Sequence, residues 1–326
     1  MKCTNKLFYI FIAGLMASLL TACNKAEIRM PFSDFPKEFD EYEFDLFQHD
    51  SSTVGFASEL AAFEGDYTEK YTLENAAAGL LIDVNNQEVL FAQNAFEKRP
   101  PASITKIMTA YLALEKCTLD ETIVCGQEPV NIADPTATRL GLKLGDSMTM
   151  DQALNLCLIP SSNDVAIDIA CHISGTEADF AELMTREAHK LGCTSTNFTD
   201  SCGLGSEEHY TTCYDLYLIF KEAIKNQDLI DIIQKREYQT TYFDKNQNAV
   251  PVSVSSTNWY FRGNATAPDS ITVVGAKTGT TTEAGNCLLL LAKDKYSNPY
   301  IGIILGADRR DNLYIQMTDL LAQIMN

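Results

Sequence analysis

The sequence predicts an α/β (α+β) fold: one mostly antiparallel sheet of about five strands, built from both ends of the chain and flanked by helices, with an all-helical subdomain inserted between. Three observations carry this. Short apolar, β-branched runs occur early, at Ala78–Asp83 and Glu88–Phe91, and recur late, at Ile271–Lys277, Cys287–Lys293 and Tyr300–Gly306. Between them, from Met150 to Lys225, the apolar residues recur with helical period. Strands at both ends with helices between them favour one composite sheet over two separate domains. With 326 residues, 46% hydrophobic and 21% charged, the chain has ample material for such a core.

In chain order, Asn85-Asn86 supplies a turn between the first two strands. Pro101 then sits where a helix can begin, and Ile104, Ile107, Met108, Tyr111 and Leu112 continue it with apolar periodicity. From Thr118 to Met150 the pattern is mixed, with turn signals at Asp134-Pro135 and Leu144-Gly145-Asp146. Helices follow at Met150–Ile159, Asn163–Ile173 and Thr176–Leu191, and Thr212-x-x-Asp215 reads as a capping box for another reaching Lys225. The helical subdomain is expected at about 118–235. Strand character returns at Glu237–Tyr242 and Val250–Ser255, and a helix over Asp311–Met325 closes the chain. No internal repeat or low-complexity tract is visible.

The first residues read as a targeting segment. Lys2 and Lys6 precede an apolar run of about fourteen residues, Leu7–Leu20, which suits a signal core and is short for a membrane span. It ends in Leu20-Thr21-Ala22-Cys23, which resembles a bacterial lipoprotein box. The expectation is a signal peptide over 1–22, a lipid-bearing Cys23, and a mature protein tethered to the outer face of the cell membrane. Residues 23–72 read as an acidic tether. Asp34, Glu38, Asp40, Glu41, Glu43, Asp45 and Asp50 face the single Lys37, with interleaved aromatics that suit either a docking segment or a solvated spacer. The domain proper is expected over 73–326.

A net charge of −19 excludes nucleic acid as a partner, because nothing would neutralise phosphates. Of ten cysteines, Cys3 leaves with the signal and Cys23 carries lipid. Among the remaining eight, Cys117/Cys125 and Cys193/Cys202 are close enough in sequence to be bridged in an exported chain, whereas an anaerobic setting would leave them free. There is no Cys-x-x-Cys, and the four histidines (His49, His172, His189, His209) show no metal-like spacing, so neither metal nor cofactor is expected.

Three short segments carry chemistry. In Pro101-Ala102-Ser103-Ile104-Thr105-Lys106, a hydroxyl and an amine three residues apart share a helical face. Ser103 in the first turn would have its alkoxide favoured by orphan N–H groups, and a neutral Lys106 could take its proton. In Ile159-Pro160-Ser161-Ser162-Asn163, proline ends one helix and Asn163 caps or begins the next, so Ser161 and Asn163 project from a junction. A second Ser-x-Asn, at Ser256-Thr257-Asn258, lacks that setting. In Lys277-Thr278-Gly279-Thr280, a cationic, hydrogen-bonding strand end carries a glycine that would let a substrate backbone approach.

Each motif alone is common. In this order they follow Ser-x-x-Lys, Ser-Asp-Asn and Lys-Thr-Gly, the signature of penicillin-binding proteins and class A β-lactamases, with Ser162 at the variable position of the second. The chain resembles the low-molecular-mass serine D-alanyl-D-alanine carboxypeptidases of that superfamily from about Leu73 to its end. The likeness extends through Leu144-Gly145-Asp146, Asn197-Phe198-Thr199-Asp200, Gly203-Leu204, His209-Tyr210-Thr211-Thr212 and Ala284-Gly285-Asn286-Cys287. It implies a DD-peptidase/β-lactamase-like fold and a penicillin-sensitive enzyme acting on peptidoglycan stem peptides that end in D-Ala-D-Ala, with β-lactams as covalent inhibitors. Some relatives add a β-rich domain and a C-terminal anchor; here the expectation is a catalytic domain anchored by Cys23 instead.

By the same resemblance, Ser103 is the nucleophile, Lys106 its base, Ser161 a proton relay, and Asn163 a holder of Lys106 and the substrate amide. Lys277, Thr278, Gly279 and Thr280 line the substrate site, Lys277 and Thr278 receiving the terminal carboxylate. The backbone N–H groups of Ser103 and Thr280 form the oxyanion hole. Arg310 resembles a carboxylate-binding arginine, or else is a solvated residue at a helix start beside Arg309. Two other readings compete. A class A β-lactamase needs Ser-Asp-Asn and a Glu-x-x-x-Asn loop, where this chain has Ser161-Ser162-Asn163 and Asp200. A non-catalytic lipoprotein that binds cell-wall peptides would not need all the catalytic side chains.

Overall fold

A computed structural model describes residues 60–68 and 71–325; the signal segment, Cys23 and the acidic run 34–50 lie outside the described residues. β1 (Ala78–Asp83) is buried along its whole length because it is paired on both sides, with β2 (Glu88–Gln93) and with β9 (Pro299–Ala307). β7 (Ile271–Thr281) and β8 (Gly285–Asp294) complete a five-stranded sheet in the order β2-β1-β9-β8-β7, each neighbouring pair antiparallel. The sheet is thus assembled from both ends of the described chain. β8 reads Leu288-Leu289-Leu290-Leu291 without alternation because both its faces are covered. Leu288 and Leu290 pack with Leu313, Met317 and Leu320 of the final helix, α8 (Arg310–Ala322), while Leu289 and Leu291 join the larger core on the other face.

That larger core is shared with the helices. α1 (Lys106–Lys116) packs among α2 (Met150–Leu158), α3 (Asn163–Ser174), α4 (Glu177–Lys190) and α5 (Cys213–Ala223), with α6 (Gln227–Ile233) leaning on β7. Burying each Leu or Ile side chain here is worth about 1.5–3 kcal/mol, and α1 alone buries Ile107, Met108, Leu112 and three smaller residues around Lys106. The helix starts follow capping chemistry. Thr149 and Gln152 form a reciprocal capping box for α2, while Thr176 and Thr212 accept the N–H of Asp179 and Asp215.

The inserted region, expected to be all-helical over about 118–235, is not. β3 (Thr122–Val124) and β4 (Ser147–Thr149) lie within it and join the hairpin β5 (Glu237–Phe243) and β6 (Ala249–Ser255) in a second sheet ordered β3-β4-β5-β6. Three-residue strands are too short for an alternation to register. The expected start at Leu73 also falls inside the packed domain. Ala61 is buried, Phe63 and Phe96 have ring centroids 4.9 Å apart, and Tyr67 exchanges two backbone hydrogen bonds with Ala92. The tether expected over 23–72 therefore gives way to packed structure by residue 60. All eight cysteines from Cys117 to Cys287 are free, so neither Cys117/Cys125 nor Cys193/Cys202 is bridged.

Candidate active site

Ser103 sits not in the first turn of an α-helix but in a tight 3-10 turn, Ala102–Thr105, immediately before α1. Ala102 is held at φ +48°, a conformation non-glycine residues rarely adopt and one that persists only where the surroundings enforce it. Here they do. The turn is pressed between β7 and the loop Asp200–Gly205, and both contacts require glycine. A Cβ on Gly279 would lie 2.8 Å from Pro101 O and 2.9 Å from Ser103 N. A Cβ on Gly203, at φ +82°, would lie 1.9 Å from Ala102 O. Gly279, expected to let a substrate backbone approach, also lets the Ser103 turn pack against β7.

Lys106, the first residue of α1, is fully buried with three partners around its amine. Ser103 Oγ lies at 2.9 Å, Asn163 Oδ1 at 2.6 Å and the carbonyl oxygen of Cys202 at 2.7 Å. The last two only accept. A neutral amine has two N–H groups and one lone pair, so donation to Asn163 and Cys202 leaves the lone pair directed at the Ser103 hydroxyl. Burial favours that state, pulling the Lys106 pKa below the usual lysine range against the opposing fields of Cys202, Cys157, Asp200 and Glu177.

Ser161 and Asn163 come from the α2–α3 junction. Pro160 follows the end of α2, Ser161 takes φ +70°, and Asn163 is the first residue of α3 with its N–H donated to Thr138 O. Lys277 reaches this junction from β7 and donates to Ser161 Oγ at 2.8 Å and to the Thr278 carbonyl at 2.8 Å. It is 1% exposed, and burial together with repulsion from Lys106 drives its pKa well below the usual range. Cys157, also buried, has its thiol pushed up to about 11 by burial despite the fields of both lysines, so it stays protonated.

The loop that supplies the Cys202 carbonyl is itself a hydrogen-bonded knot. The Asp200 carboxylate accepts N–H groups from Cys202 at 2.9 Å, Gly203 at 2.5 Å and Gly205 at 2.7 Å. His209 Nδ1 accepts the Thr199 N–H, which leaves the proton on Nε2, 2.8 Å from Thr105 Oγ1; Thr105 in turn donates to Ala102 O. Burial keeps His209 neutral by lowering its pKa. His209 therefore braces the nucleophile turn. Neither this relay nor the Cys202 carbonyl had a signal in residue type alone.

Thr278 Oγ1 lies 2.7 Å from Thr257 Oγ1, so the second Ser-x-Asn segment abuts the site through its middle residue, while Asn258 caps the short helix α7 (Trp259–Arg262). Thr280 is exposed at the strand edge. Arg310 begins α8 with its guanidinium over the Trp259 ring at 5.9 Å and makes no hydrogen bond to the motif residues among those described. A cleft of about 540 Å³ opens beside the nucleophile turn, lined by Ala102, Gly203, Leu204, Tyr210 and Thr281 among others. Glu177, Asp200 and Cys202 also converge here. Glu177 Oε1 accepts both the N–H and the hydroxyl of Ser201, and the Asp200 oxygens accept three amide N–H groups, so these two carboxylates brace the loop.

On this fold the three motifs meet in one hydrogen-bonded cluster of Ser103, Lys106, Ser161, Asn163 and Lys277, the arrangement of a Ser-x-x-Lys protein. Residues 67–309 match the model of the peptidase S11 family, D-alanyl-D-alanine carboxypeptidase, and the chain belongs to that family. It is 31% identical over 268 residues to D-alanyl-D-alanine carboxypeptidase DacF of Bacillus subtilis, covering 81% of this chain and 65% of that protein. To D-alanyl-D-alanine carboxypeptidase DacC of Escherichia coli it is 30% identical over 254 residues, covering 76% and 60%. The chain thus aligns with about three fifths to two thirds of these relatives' length. Among solved structures, the Streptomyces K15 DD-transpeptidase superposes with a TM-score of 0.69 at 24% identity, covering 79% of this chain and 98% of that one. Penicillin-binding protein D2 of Listeria monocytogenes, solved in a cefotaxime-bound form, gives 0.64 at 27% identity, covering 77% and 96%.

Proposed function

We propose that this protein is a penicillin-sensitive serine carboxypeptidase that removes the terminal D-alanine from peptidoglycan stem peptides through an acyl-enzyme on Ser103. The observation that carries the reading is the arrangement around Lys106: a buried amine with two acceptor-only partners and its lone pair on the Ser103 hydroxyl. Ser103 Oγ attacks the carbonyl carbon of the penultimate D-alanine and gives its proton to Lys106 Nζ. The oxyanion is taken by the backbone N–H groups of Ser103 and Thr280. As the C–N bond breaks, that proton leaves Lys106 and is relayed through Ser161, held by Lys277, to the departing D-alanine amine. Lys277 is buried behind Ser161, so Thr278 and Thr280 at the strand edge meet the terminal carboxylate. Water then cleaves the Ser103 ester.

A class A β-lactamase reading fits less well, because the loop against Lys106 offers Asp200 with its carboxylate occupied by three amide N–H groups rather than a free deacylating carboxylate. The lipid anchor at Cys23, holding the enzyme on the outer face of the cell membrane, is part of the same proposal and is supported by the Leu7–Cys23 pattern. Palmitate incorporation lost on Cys23→Ala tests it. The activity is tested by D-alanine release from a pentapeptide muropeptide, and release should stop after benzylpenicillin. No release with a stable penicillin adduct would redirect the reading to cross-linked dimers, and neither release nor adduct would leave a peptide-binding protein.

A further inference from the structure

We propose that Cys117, Glu121 and His172 form a binding site for a zinc-type divalent cation, and that this ion fastens together the far ends of the two helices whose near ends carry Lys106 and Asn163. The Cys117 sulfur, a Glu121 carboxylate oxygen and a His172 ring nitrogen all lie within 4.8 Å of one another. Bonds of about 2.0–2.3 Å to a tetrahedral ion set ligand spacings of about 3.3–3.8 Å, which side-chain rotation alone can reach. His172 Nε2 is already 2.8 Å from Glu121 Oε1, and the Thr118 N–H reaches the other Glu121 oxygen at 3.4 Å, steadying the carboxylate from behind.

The donor set selects the ion. One thiol, one imidazole and one carboxylate suit zinc and its neighbours, whereas magnesium and calcium would demand more oxygen and no sulfur. The groups are partly open to solvent, which gives the ion a path in and leaves the fourth position to water. Binding displaces the Cys117 thiol proton to solvent and replaces the His172 Nε2–H to Glu121 hydrogen bond, the neutral imidazole keeping its proton on Nδ1 instead. The sequence hides the site because Cys117 and Glu121 flank the turn after α1 whereas His172 is 51 positions beyond Glu121, in the last turn of α3.

The placement gives the ion a consequence. α1 runs from Lys106 to Lys116 with Cys117 as its C-cap, and α3 runs from Asn163 to just past His172. At one end the two helices meet through the 2.6 Å contact of Lys106 with Asn163. At the other end the ion would join them through Cys117 and His172. The general base and its holder would then be clamped at both ends of one helix pair.

The test uses full-length protein in detergent, stripped with a chelator and titrated with Co²⁺. One equivalent is expected to produce a thiolate charge-transfer band and visible d–d bands, and Zn²⁺ should abolish both and raise Tm. Cys117→Ser should lose the charge-transfer band and the Zn²⁺-dependent Tm gain, while Glu121→Gln and His172→Gln should weaken Co²⁺ binding by roughly 10–100-fold or more. Penicillin acylation of the three metal-free variants should match that of the metal-free parent, showing that they are folded. Absence of a thiolate band at one equivalent of Co²⁺, or equal binding by Cys117→Ser and the parent, would overturn the proposal.

Discussion

Lys277 donates a 2.8 Å hydrogen bond to Ser161 Oγ, and through it the third motif reaches the second without touching solvent. The buried amine is therefore tied to Ser161 rather than standing at the mouth of the site. Replacing it removes together a desolvated amine and the hydrogen bond that holds Ser161. Lys277→Met is expected to keep or raise Tm while slowing acylation by benzylpenicillin by about 10²–10³-fold, the range of a lost positioned proton donor or charge stabiliser. Stopped-flow acylation and a thermal melt on the same preparation check both halves.

A lowered Lys106 pKa fixes the direction of the pH dependence. The amine is the base only when unprotonated, so the acylation rate should fall as pH drops through the folded-state pKa of Lys106. Lys106→Arg keeps a long, basic side chain, but guanidinium does not deprotonate in this range. It should lower acylation by more than about 10³-fold at every pH from 6 to 9. A pH–rate profile of the two proteins makes the comparison.

Gly203 and Ala102 are packed too closely for any other residue at 203. With the Cβ position 1.9 Å from Ala102 O and φ at +82°, Gly203→Ala must push the loop off the nucleophile turn and take the Cys202 carbonyl from Lys106. A loss of about 2–3 kcal/mol in stability is expected from the combined strain and overpacking, with acylation nearly abolished. Gly263→Ala is the control, since it shares a positive φ yet has nothing within 4 Å of its Cβ position. Chemical denaturation and penicillin labelling distinguish the two variants.

Asp168 shows the opposite sign of pH linkage. Burial, with smaller contributions from Asp164 and Asp146, lifts its pKa from 3.8 to about 6, against the Gly126 N–H and His172, and its Oδ2 has no hydrogen-bond partner. Above pH 6 the carboxylate is charged in both folded and unfolded chains and carries the full desolvation penalty. Between about 6 and 3.8 the folded form takes up the proton first, so the penalty fades. Asp168→Asn should therefore stabilise by up to about 3 kcal/mol above pH 6, with the gain vanishing near pH 4. Melts across that range give the curve.

Much of this was legible in the sequence, for physical reasons. β1, β8 and β9 announced themselves because strands covered on both faces are continuously apolar, and the helices from Met150 onward because they carry apolar residues on every turn, with α4 showing the one-sided pattern of a half-exposed helix. Ser103, Lys106, Ser161, Asn163 and Lys277 converge as the order of their motifs suggested, each being a side chain whose chemistry is written in its type. The rest was hidden for equally physical reasons. The Cys202 carbonyl belongs to backbone and carries no residue signature, and the tautomer of His209 depends on a Thr199 N–H brought to it by the fold. β3 and β4 are too short to show a period, and the close packing of Gly279 on the Ser103 turn is a contact made only by the fold. The packing of residues 60–68 rests on Phe63, Tyr67 and Tyr214, which are brought together only by the fold.

The central claim is that Ser103 is the nucleophile and that Lys106 makes it one. The most direct measurement is peptide-level mass spectrometry of the full-length protein after benzylpenicillin treatment, alongside Ser103→Ala. The account predicts one penicilloyl adduct on the peptide containing Ser103 in the parent and none anywhere in Ser103→Ala. A covalent adduct that persists in Ser103→Ala, on any residue, would contradict it.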